Sequence, residues 1–158
     1  MLHKICQRSF AAQVRSTKNY KPWLESKILV NGCQGQIGVP LVRYLSKELG
    51  AENIIATDVM DQKFDFPCRY EKLDIVDEAK YRNLVKDNNV NYIVHLAGIL
   101  SAAGEKNPDL AIDVNVYGAV NGLRIARDLD CRIFLPSSIA AFGGEIFPKD
   151  KTPVETIL

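Results

Sequence analysis

The stretch from Lys27 to Gly38, K-I-L-V-N-G-C-Q-G-Q-I-G, constrains the fold more than any other. Ile28 to Asn31 is an apolar run of strand length, and it enters glycines at 32, 35 and 38 without a polar linker. Behind it, Ile37, Leu41, Leu45 and Leu49 recur at helical spacing. Residues Gln36 to Leu49 are therefore expected to form an amphipathic helix, stopped by Gly50. A strand that turns through glycines directly into a helix is the construction that cradles a pyrophosphate. Gly32 permits the sharp turn, Gly35 lets a phosphate approach bare backbone, and Gly38 lets the helix pack closely. The N–H groups of Gln36, Ile37 and Gly38 would then sit at the positive end of the helix, where an anion is favoured.

The rest of the chain continues the alternation. Asn53 to Asp58, Arg69 to Leu73, Tyr92 to Leu96 and Arg132 to Leu135 read as further strands. Asp77 is placed to cap a helix reaching about Asp87, with Tyr81, Leu84 and Val85 on one side. Leu110 to Leu129 reads as one long helix. Strands and helices in alternation imply an α/β fold with a parallel sheet covered on both faces. Right-handed crossovers make that a Rossmann-type doubly wound sheet, truncated here after about five strands. From Phe147 the chain becomes polar and proline-punctuated, as in a surface loop.

Asp58 closes the second strand twenty residues after Gly38. A carboxylate there can accept hydrogen bonds from the adenosine ribose and would repel a 2′-phosphate. Val59 and Met60 supply no arginine to reverse that preference, so NAD is expected over NADP.

Composition narrows the function classes. The 158 residues are 47% hydrophobic and 25% charged, with net charge +1, which gives no global field to recruit nucleic acid or an anionic membrane. No apolar run reaches the length of a membrane span. The charge is uneven, however. Lys4, Arg8, Arg15, Lys18 and Lys21 fall within residues 1–24, which hold no acid but do hold Ser9, Ser16 and Thr17. Such a head resembles a mitochondrial transit peptide, which points to the matrix; a basic tail is the plainer alternative. Residues 25–158 then form the folded domain. Cys6, Cys33, Cys68 and Cys131 are scattered without a C-x-x-C pair, and only His3 and His95 could join them. No metal site is expected, and His95 reads as a satisfied core histidine.

Further stretches carry a resemblance. The spacing of Gly32, Gly35 and Gly38 is similar to that of the extended short-chain dehydrogenase/reductase family. In order along the chain follow Asp74-Ile75, His95-Leu96-Ala97-Gly98, Asn115 in D-V-N-V-Y-G, and P-S-S-I-A-A-F-G from Pro136 to Gly143. The resemblance implies that Asp74 and Ile75 flank the adenine. It also implies that Leu96, Ala97 and Gly98 pass under the cofactor, and that Asn115 is the structural and catalytic asparagine of the long helix. Ala97 to Ala111, together with Phe142, is more similar to the short-chain-type L-threonine 3-dehydrogenases within that family. That likeness implies NAD-dependent oxidation of L-threonine to 2-amino-3-oxobutanoate. Ser138 would hold the substrate hydroxyl, Ser137 and Ser101 would touch the amino acid, and Asn115 would support a proton relay. Homodimers are usual in the family.

One group is absent. The family uses a tyrosine with a lysine four residues later as its base. Four positions beyond Tyr20, Tyr44, Tyr70, Tyr81, Tyr92 and Tyr117 stand Leu24, Glu48, Asp74, Val85, Leu96 and Asn121. The chain as written is therefore expected to lack turnover. It would also leave an apolar stripe exposed on the long helix. Two other readings compete: a non-catalytic dinucleotide-binding or partner-binding short form, and a fragment of a sugar-nucleotide epimerase or dehydratase.

Overall fold

The computed structural model describes residues 26–138. The basic head and the segment from Ile139, including Phe142, lie outside them. Five strands form one parallel sheet: β1 (Ile28–Asn31), β2 (Ile54–Asp58), β3 (Arg69–Lys72), β4 (Tyr92–His95) and β5 (Arg132–Phe134), ordered β3-β2-β1-β4-β5. The chain runs outward from β1 to β3, then crosses back to β4 on the other side of β1. That reversal opens a crevice at the carboxyl ends of β1 and β4, the place where open α/β sheets bind ligands.

Helices cover both faces. On one, α1 (Gly38–Leu49) packs Val42 against Ile28, Val30, Ile54, Ala56 and Val94, joined by Cys33 and Phe66. On the other, α2 (Glu78–Asp87) and α5 (Ala119–Asp128) bury Tyr81, Val85, Ile125 and Ala126 against Leu29, Ile55 and Ile93. The central strands are apolar on both faces because both are covered. Asp77 caps α2 as expected, accepting from the Lys80 N–H at 3.1 Å. Gly50 ends α1 at φ +89.

Four strands are one residue shorter than the sequence reading, and the helices differ from it in three larger ways. First, α1 begins at Gly38, so Gln36 and Ile37 belong to the turn. Second, the long helix starts earlier and is composite: α4 (Pro108–Ile112), a π-helical stretch over Asp113–Gly118, then α5. Asn107 caps its start by accepting from the Leu110 N–H at 3.2 Å. Third, a short helix α3 (Ser101–Lys106) precedes it, unmarked by any apolar period. Along the composite helix Leu110, Ile112, Val116, Tyr117 and Leu123 are exposed, which is the expected apolar stripe.

Beneath α2 and α5 lies a polar row. Asn31 pairs in register with Thr57 on one side and His95 on the other. Its Nδ2 donates to the Tyr81 hydroxyl at 2.6 Å, and its Oδ1 accepts from Thr57 Oγ1 at 2.7 Å. His95 is only 3% exposed, but its Nδ1 has no hydrogen-bond partner among the described residues. This corrects the expectation of a satisfied histidine. The space beside Nδ1 is closed by Gly122, where a Cβ would stand 3.3 Å from both Nδ1 and the Tyr81 hydroxyl.

Burial holds the His95 imidazole below its ordinary pKa. The unfolded chain then takes up the proton first as pH falls. Stability from the neutral ring is complete above about pH 6.5 and is lost as pH falls from there toward the depressed native value. Denaturation midpoints should therefore decline between pH 7 and pH 5, before ordinary carboxylates near pH 4 titrate. A His95→Gln variant should flatten that decline. An equal decline in the variant would remove His95 as its cause.

Candidate functional site

The turn leaving β1 is shaped by what its glycines exclude. Gly32 has φ +72, and a Cβ there would stand 2.6 Å from the Ala97 backbone nitrogen. It is therefore the point where the β1 turn meets the segment after β4. Gly35 N donates to Gly32 O at 3.1 Å, and Cys33 N donates to Thr57 O at 3.0 Å, so the turn is tied to itself and to β2. A Cβ on Gly38 would stand 2.4 Å from Gly32 O and 2.7 Å from Cys33 backbone. Close packing is thus required at Gly38, but against the turn more than against the sheet.

Helix α1 receives no side-chain cap, since Ile37 precedes it. Its first turn follows Gly35, which lines the crevice, and a helix start carries unpaired N–H groups and the positive end of its dipole. The crevice has a volume of about 400 Å³, and Gly32, Gly35, Asp58, Ile75, Ala97 and Gly98 are among its lining residues. Asp74 and Leu96 also line it. Gln36, Ile37 and Gly38, which follow Gly35 in the chain, are not among the lining residues; Gln36 and Ile37 are exposed and Gly38 is buried.

Asp58 stands at the far rim. Its Oδ2 accepts from Gln34 N at 3.1 Å and its Oδ1 from Met60 N at 3.2 Å. Two backbone donors fix the plane of the carboxylate and leave lone pairs free for further donors. Beyond β3, Asp74 Oδ1 accepts from Val76 N at 2.9 Å and turns the chain. Asn121 Nδ2 donates to Ile75 O and Val76 O, each at 3.1 Å. Ile75 itself seats against Gly118, where a Cβ would approach its Cδ1 to 2.5 Å.

Asn115 lies within the π-helical stretch. Its Oδ1 accepts from Ile99 N at 2.7 Å, and its Nδ2 donates to Ile99 O at 2.9 Å. The side chain thus mimics a strand partner and holds the Ala97–Ile99 segment under the crevice. A π turn carries an extra residue, which shifts the helical register locally. This structural work is visible in the geometry; a relay by Asn115 is a separate expectation.

The serines are less assembled. Ser137 and Ser138 follow β5 and are exposed. Ser101 opens α3, and its side chain lies outside the described set. Two tyrosines are held in the protonated form: burial, with Cys33, Asp58 and Asp61 behind it, pushes the Tyr70 phenol up to about 12. Burial also raises the Tyr81 phenol. The Cys33 thiol is fully buried in the turn and pushed up to about 12, first by burial and then by Asp58. It is a packing group, not a nucleophile.

A dinucleotide fits these residues. Bare glycine backbone and an uncapped helix end suit the pyrophosphate, a fixed carboxylate suits a ribose, and Ile75 with Ala97 gives apolar walls. Sequence reasoning missed Gln34, Asn121 and Asn31, whose polar side chains read as solvent-facing until their distant partners are known.

Comparison with known proteins agrees with this architecture. The sequence matches the NAD dependent epimerase/dehydratase family over residues 28–157. An uncharacterized epimerase/dehydratase of Staphylococcus aureus is 41% identical over 134 residues, covering 83% of this chain and 41% of that protein. The L-threonine dehydrogenase structure from Clostridium difficile is 43% identical with a TM-score of 0.75, covering 84% of this chain and 42% of that one. A monomeric L-threonine 3-dehydrogenase from a metagenome is 46% identical with a TM-score of 0.69, covering 73% and 37%. The chain thus spans about two fifths of the length of these relatives.

Proposed function

The chain belongs to the NAD dependent epimerase/dehydratase family, whose cofactor is NAD, and from that premise we propose that it corresponds to the amino-terminal, cofactor-holding part of an L-threonine 3-dehydrogenase. The observation that carries the cofactor reading is the crevice between the Gly32–Gly38 turn and the Asp58 carboxylate. The substrate reading rests on likeness to threonine dehydrogenases at 43% and 46% identity.

When bound, NAD would accept the hydride from the β-carbon of L-threonine, giving 2-amino-3-oxobutanoate and NADH. The residues of this chain do the holding. Gln36, Ile37 and Gly38 would present N–H groups to the pyrophosphate, and Asp58 would accept from the adenosine ribose. Asp74 and Ile75 would border the adenine. Leu96, Ala97 and Gly98, held in place through Asn115, would form the floor. Ser138 would hold the substrate hydroxyl, with Ser137 and Ser101 at the amino acid. Removal of the hydroxyl proton needs a base, and no tyrosine in the sequence has a lysine four residues on.

Two measurements on a purified polypeptide of residues 1–158 test this. NADH fluorescence should rise saturably on titration with the protein, and NAD with L-threonine should give no detectable NADH. Lack of NADH binding would sink the cofactor reading. Turnover by this polypeptide would sink the assignment of the base to a tyrosine–lysine pair.

A further inference from the structure

Gln34 is the residue between Cys33 and Gly35, and the glycine pattern assigns it no task. In the structure it makes four hydrogen bonds to one region. Its backbone N donates to Asp58 Oδ2 at 3.1 Å. Its Nε2 donates to Asp61 O at 3.1 Å and to the Tyr70 hydroxyl at 3.3 Å. Its Oε1 accepts from Lys63 N at 2.6 Å. The Tyr70 hydroxyl passes the chain on by donating to Met60 O. One carboxamide therefore fastens the loop after β2 to the turn that faces the pyrophosphate.

That loop is otherwise weakly held. Val59 and Met60 are exposed, and residues 61–65 carry no buried side chain. Besides Gln34 it is tied by the Tyr70 hydroxyl to Met60 O, by Met60 N to Asp58 Oδ1, and by the pair of Lys72 Nζ with Asp61 Oδ1 at 2.7 Å, in which Asp61 is 90% exposed. An exposed pair of this kind contributes little. Yet the loop supplies the Met60 N–H that fixes Asp58 Oδ1, and Val59 lines the crevice. Without the Gln34 side chain, Asp61 and Lys63 lose their bonds to the turn, and ordering that stretch when a ligand arrives would cost affinity.

We infer that Gln34 is a positioning residue that clamps the Val59–Lys63 loop onto the glycine turn and thereby sets affinity for the adenosine half of a dinucleotide. This rests on the dinucleotide reading of the crevice. The clamp itself exists without ligand, so it has a ligand-free readout.

The experiment compares wild type, Gln34→Ala and Lys72→Ala as full 158-residue chains. Hydrogen exchange at the Lys63 amide is measured without ligand, and binding is titrated with NADH and with ADP-ribose. Gln34→Ala should speed exchange at Lys63 and weaken NADH and ADP-ribose equally, by about tenfold. Its thermal midpoint should stay near wild type, which separates a clamp from a general loss of fold. Lys72→Ala should leave both affinities within about twofold. Wild-type affinity in Gln34→Ala, or unchanged exchange at Lys63, overturns the clamp and leaves the cofactor reading standing. A wild type that binds neither ligand overturns the cofactor reading, and with it the affinity claim. A Gln34→Ala protein with a much lower thermal midpoint makes Gln34 a general stabiliser and also overturns the proposal.

Discussion

Gly38→Ala is expected to destabilise the chain by about 3 kcal/mol and to abolish NADH binding, because the added methyl has nowhere to go. It would stand 2.4 Å from Gly32 O and 2.7 Å from two Cys33 backbone atoms. All three are backbone, so no rotamer change relieves the contact. Gly32 cannot retreat, since its own Cα faces the Ala97 backbone. Strain would therefore spread through the turn whose Gly32 and Gly35 line the crevice. Gly35→Ala is the informative contrast. Among the described residues its only close neighbour is Gly32 O at 3.3 Å, so stability should change by less than about 1 kcal/mol. Binding should still fall, because Gly35 lines the crevice. Urea midpoints and NADH titrations on both variants make the comparison. Equal stability of the two proteins would refute the packing role of Gly38.

The second large effect lies in the buried polar row. Asn31 is fully buried and joins β1 to Thr57 on β2 and to Tyr81 on α2. Asn31→Leu keeps the branched shape and heavy-atom count, adds volume to a packed site and removes a partner from two buried hydroxyls, so a loss of about 2–3 kcal/mol is expected. Thr57 retains a second acceptor in Val30 O at 3.3 Å, which leaves Tyr81 as the larger casualty. Adding Tyr81→Phe removes the stranded hydroxyl and should recover about 1 kcal/mol. Chemical denaturation of the single and double variants measures this coupling. An Asn31→Leu protein as stable as wild type would show that the network contributes nothing net.

Residue patterns foretold much of the fold for a local reason. Strand and helix periods are written into neighbouring residues, and the sheet is parallel because its strands alternate with helices. Gly32 and Asp58 were legible too, since a turn needing positive φ and a carboxylate at a strand end are local features. Side chains paired across long stretches of chain were not. Gln34 to Lys63, Asn31 to Tyr81 and Asn121 to Ile75 join residues 29, 50 and 46 positions apart. Each asparagine or glutamine looks like a surface residue until the fold brings its partner into reach.

The long helix shows the same division. Its apolar repeat predicts a helix, but only contact with Ile75 at Gly118 and Ile99 at Asn115 accompanies the π turn inside it. By itself, then, the sequence determined the layer order, the glycine turn and the carboxylate opposite it. Only the tertiary structure decided which polar side chains lock those parts together, because a hydrogen bond depends on the distance and angle at which two remote residues meet.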